Sequence, residues 1–90
     1  MNYDTKIRLA RNKCSSYDNS IENIKKAIEK YQETLEVLQP IKGIESCEEL
    51  RKKINAKILE LNDLISSINK KKNALKNDIR EIQSKKEQEK

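Results

Sequence analysis

A chain of 90 residues with 34% apolar and 39% charged side chains and a formal net charge of +5 has room for one small domain and little buried core. It has no histidine, and its two cysteines lie far apart in the sequence, so the commonest general base and a zinc cluster are both missing from the pattern. No apolar run approaches the roughly 18–20 residues of a membrane span.

Glu, Lys, Leu, Ile and Asn dominate, with a single Pro and a single Gly, which is the composition of long helices or of a disordered chain. Periodicity decides between them. Tyr3, Ile7, Ala10, Cys14, Tyr17, Ile21, Ile24, Ile28, Tyr31, Leu35 and Leu38 follow alternating steps of four and three. That is the a and d repeat of a coiled-coil seam, and a disordered chain has no reason to keep it. A first helix is expected over about 3–39.

The stretch "LQPIKGIESCEEL", residues 38–50, holds the only proline and glycine. Pro40 disfavours the helical conformation at Gln39 and so ends the first helix. Gly43 suits a left-handed turn position. Ser46 and Glu49 have the spacing of a capping box, with Glu48 and Glu49 near the positive end of the helix dipole. The bend is expected at 40–45. Ile41 and Ile44, flanking Lys42 and Gly43, are apolar where a bend alone accepts polar residues.

A second helix is expected over about 46–86, with its seam at Cys47, Leu50, Ile54, Ile58, Leu61, Ile65, Ile68, Lys72, Leu75, Ile79 and Ile82. The steps from 50 to 54 and from 54 to 58 are both fours, which reads as a stutter. Lys72 is a polar intruder whose stem can lie along the seam. Folding the chain at the bend matches the two stripes residue for residue, 38 with 47, 24 with 61 and 3 with 82. The expected fold is therefore all-α, a two-helix antiparallel coiled-coil hairpin, one domain over 1–90 with residues 85–90 frayed.

Both cysteines fall on the stripe, near opposite ends of the expected rod, too far apart to bridge within one chain. The carboxylates sit on exposed faces without a pocket, so no enzyme activity, metal or cofactor is expected. Residues 1–20 and 66–90 hold twelve basic and six acidic groups, whereas 21–65 hold eight and nine. Lys70, Lys71, Lys72, Lys76 and Arg80 are the residues through which nucleic acid or an anionic surface would be met. No aromatic stands beside them to stack a base, and a solvated face explains them as well.

A two-helix rod leaves the flanks of its stripe wet and is stabilised by packing on another helical element. Apolar residues off the seam mark the candidate contact surface: Ala27, Ala56, Leu59 and Leu64 along the rod, with Ile41, Gly43 and Ile44 at the bend. The expected partner is another helical protein or a second copy in a four-helix bundle.

The plan of two long helices, a short glycine-bearing bend and no signal-peptide core in "MNYDTKIRLARNK" resembles the small WXG-type (Esx-like) proteins of type VII secretion. It is similar also to the helical partners of LXG toxins in Gram-positive bacteria. In that family W-x-G lies between the helices; here Ile41-Lys42-Gly43 stands there as I-x-G. The stretch "INKKKNALKNDIREIQ" is similar to helix two of the Firmicute hairpin partners. The tryptophan is absent, and no tyrosine follows the second helix to make the Y-x-x-x-D/E export signal; Leu59-x-x-x-Asp63 lies mid-helix. The resemblance implies a cytoplasmic chain, exported if at all without a cleaved signal, that escorts an LXG-like toxin or pairs with a second small hairpin protein. Self-association as a structural or chaperone-like hairpin of another pathway, prefoldin-like or flagellar-export-like, is the alternative.

Overall fold

The computed structural model describes residues 2–88 and is an all-α helical hairpin of two helices, α1 (Tyr3–Leu38) and α2 (Glu45–Gln88). There is no strand among the described residues. α1 stops one residue short of the expected end, and α2 begins one residue early and continues through Gln88. Of the segment expected to fray, Glu89 and Lys90 lie outside the described residues.

The chain divides into two units, one of Met1–Ile21 with Ser67–Lys90 and one of Glu22–Ser66. In the second, the bend unit, Ile28, Leu38 and Ile54 are buried. α1 ends where its geometry runs out. The Gln39 amide donates to the Leu35 carbonyl at 2.9 Å and the Ile41 amide to the Leu38 carbonyl at 3.0 Å, and Pro40 prevents continuation. Gly43 takes φ of 80°, with nothing within 4 Å of where a Cβ would stand. The left-handed backbone alone, not crowding, selects glycine there.

The start of α2 corrects the expected capping box. The amides of Cys47 and Glu48 both donate to the Ile44 carbonyl at 3.1 Å, so Ile44 is the cap residue and Ser46 already lies inside the first turn. A serine in that position is two residues too late to accept from the first-turn amides. What remains of the expected electrostatics is Glu45 and Glu48 in the first turn, at the positive end of the helix dipole.

The seam is also corrected. All eleven stripe positions of α1 are buried or half-buried. In α2 the exception is Leu50, which is 43% exposed, while its neighbour Arg51 is half-buried. Through Arg51 the steps from Cys47 become 4, 3, 4, 3 without interruption to Ile82, so the stutter disappears. Hydrophobicity points to Leu50, but a straight run of heptads admits only one of the two residues. Arg51 is favoured by what it reaches, described below.

In the other unit, the terminal unit, Ile7 and Ile21 are buried. Asn2 caps α1: its side-chain Oδ1 accepts from the Thr5 amide at 2.8 Å while its carbonyl accepts from Lys6 at 3.2 Å. Asp4 adds a negative charge in that first turn. The Lys13 ammonium lies 6.0 Å from the centroid of the half-buried Tyr17 ring.

Candidate protein-interaction surface

With the seam written as heptad positions, α1 has a at Ile7, Cys14, Ile21, Ile28 and Leu35, and α2 has a at Arg51, Ile58, Ile65, Lys72, Ile79 and Lys86. Three of the six a positions of α2 are thus cationic, and each has a partner on α1. In the terminal unit Lys72 is hydrogen-bonded and ion-paired to Asp18, and Lys86 to Asp4. The two lysines are two heptads apart, and so are the two aspartates, both at e of α1. Helical side chains lean toward the N-terminus of their own helix. In an antiparallel pair that carries each α2 cation toward higher residue numbers on α1, in keeping with the pairs that form.

Arg51 uses the same lean in the bend unit. Its guanidinium donates to the Leu38 carbonyl at 2.6 Å and also to the Ile41 carbonyl. α1 has no basic residue in its last turn, so the cation that complements the negative end of its dipole comes from α2. The last carbonyls of a helix lack intrahelical donors, and a hydrogen bond to a charged group contributes about 1.5–3 kcal/mol. Arg51 Nε is buried with no acceptor. It lies beside an open depression lined by Leu35, Glu36, Gln39, Lys42 and Asn55.

The sequence-derived contact residues fall in different places. Ile41 is half-buried, whereas Gly43 and Ile44 are exposed. Leu59 and Leu64 are 65% and 47% exposed. Five residues apart on one helix, they point about 140° away from each other and do not form one face. Leu64 is at g, and so is the half-buried Ala27 on α1; Leu59 is at b and the exposed Ala56 at f. Three exposed large apolar residues were not among those expected: Leu9, Val37 and Leu50. Leu9 and Val37 are both at c, outside the stripe, and Leu50 was assigned to the seam. Marking every Leu and Val that the heptad does not use would have found the first two.

Among the described residues no helix is long and apolar enough to cross a membrane. Among the described residues no group of three or more Cys, Asp and Glu is placed to hold a metal ion. No family model, curated protein or solved structure matches the chain.

Proposed function

We propose that this chain is a non-catalytic helical binding module that packs against a helical segment of another protein, in a type VII-like secretion system. The observation that carries the reading is the surplus of apolar surface. α1 fills its seam completely, and α2 does so with Arg51 in place of Leu50, yet Val37, Ile44, Leu50, Leu59 and Leu64 stay exposed in the bend unit alone. Exposed apolar residues scattered singly need no explanation, but five large ones in forty-five residues of so charged a chain do. The assignment to secretion is supported by the resemblance at the bend, where Ile41-Lys42-Gly43 stands in the W-x-G place and Gly43 has the left-handed conformation that only glycine adopts freely.

The test is co-expression with the helical-domain protein encoded beside it, followed by co-purification and light scattering of the product. A stable complex of defined stoichiometry is the expected result. A chain that stays alone with every such neighbour and forms a tight homo-oligomer moves the function to self-association.

A further inference from the structure

The two flanks of the bend unit differ in kind. In an antiparallel pair the e positions of both helices share one flank and the g positions the other. Leu35 and Glu36 of α1 and Gln39 just past its end line one depression with Arg51 and Asn55 of α2, which places the e flank. On the g flank, Leu50 and Leu64 stand two heptads apart on α2, 43% and 47% exposed, and Val37 at c of α1 is 70% exposed. Ala27 and Thr34, the g residues of α1 in this unit, are small. Small residues between larger apolar ones leave room for a third helix to settle.

The charges separate in the same way. At the g and c positions of this unit stand Lys30, Lys53 and Lys57 against Glu60, three minus one, a net +2. Lys57 is paired with Glu60 at 3.4 Å, so Lys30 and Lys53 carry the excess. At e and b the acids are Glu22, Glu29, Glu36, Glu45 and Glu48. Lys25 and Lys52 are the bases there, two minus five, a net −3. Leu59 is the one large apolar residue on that side. A second copy using the g flank would set +2 against +2 around the apolar positions, where like charges across an interface are unfavourable.

We infer that the g flank of the bend unit, from Leu50 to Leu64 with Val37 beside it, is a docking groove for an acidic amphipathic helix of a partner protein. The inference rests on the reading of the chain as a binding module and names the partner's chemistry. Fourteen residues of α2 separate the two leucines, about 21 Å, which is about four turns of a helix lying along them. The partner's apolar positions recur at helical spacing over Leu50, Leu64 and Val37, and its Asp and Glu residues lie beside Lys30 and Lys53.

Two synthetic helical peptides with one leucine stripe, flanked by Glu in one and by Lys in the other, are titrated into the full chain by calorimetry. The Glu-flanked peptide binds and the Lys-flanked one does not. Leu64→Gln weakens binding about tenfold, and the double variant Lys30→Glu/Lys53→Glu reverses the preference between peptides. All four positions are exposed, and circular dichroism checks that each variant keeps its helicity. Equal binding of both peptides, or a loss on Leu59→Gln as large as on Leu64→Gln, overturns the groove and leaves the binding-module reading standing. Failure of both peptides together with a homodimer that Leu64→Gln dissolves overturns the inference in favour of a second copy. Failure of both with a monomer removes the groove and the binding-module reading together.

Discussion

Arg51 and Leu50 are adjacent residues whose burial is the reverse of their hydrophobicity, and Arg51 keeps its place through hydrogen bonds. At the seam the arginine donates to the Leu38 carbonyl at the end of α1 and to the Ile41 carbonyl in the bend, and its stem covers apolar surface on the way. Arg51→Ala should therefore destabilise the hairpin by about 1–3 kcal/mol, while Leu50→Ala should cost under about 1 kcal/mol because its side chain is already half in water. Urea unfolding of the two variants decides the matter; a larger loss at Leu50 would return the seam to that residue and restore the stutter. Gly43 makes a second residue-scale case. At φ of 80° with open space around it, Gly43→Ala should cost about 1–2 kcal/mol. A loss near zero in the same unfolding assay would mean that the bend readily adopts another turn.

At the scale of the helices, periodicity made nearly all of the seam readable. A 4–3 repeat that leaves no gap over eleven positions of α1 has one physical meaning, and every one of those positions is at least half-buried. The bend also read correctly at Pro40 and Gly43, because each acts through its own backbone. What did not read was whatever depends on a partner elsewhere in the fold. Arg51 finds its acceptors ten and thirteen residues away, across the bend. The Ser46 box fails because the cap lies two residues earlier, at Ile44, and the cap at Asn2 carries no apolar periodicity before it to mark it. Lys72 stands out as an intruder on the stripe, but its partner Asp18 lies off the stripe, where matching seam to seam does not reach. The repeat of that match two heptads on, Lys86 with Asp4, makes the pairs a device for fixing alignment, since a polar a position trades stability for a unique register. Lys72→Ile should accordingly raise the melting temperature by a few degrees, as the seam gains apolar contact and sheds a polar group. Asp18→Lys should cost about 0.5–1 kcal/mol of stability, and Asp18→Lys/Lys72→Asp should recover part of that loss. A double variant no better than Asp18→Lys alone would show the pair to be incidental.

At the scale of the whole molecule, few residues are well buried. Among the described residues five hydrophobic side chains are buried, and none fully so. A chain of this length with so thin a core has only a few kcal/mol in reserve, and that reserve is not spread evenly. Between Ile54 and Ser66 every a and d position of α2 is apolar, and Arg51 ties the unit together at the bend. Beyond Ser67 two of the a positions are lysines, held by surface-exposed aspartates whose pairing salt weakens. The amides of Glu22–Ser66 should consequently exchange with solvent more slowly than those of the terminal unit, by about tenfold or more for each 1.4 kcal/mol of difference in local opening. The gap should widen as ionic strength rises, because salt screens the Lys72 and Lys86 pairs and leaves the apolar seam untouched. Native-state hydrogen exchange at low and high salt measures both quantities. Uniform protection along α2, insensitive to salt, would mean that the lysines at 72 and 86 cost the seam nothing and that the hairpin opens as one cooperative element.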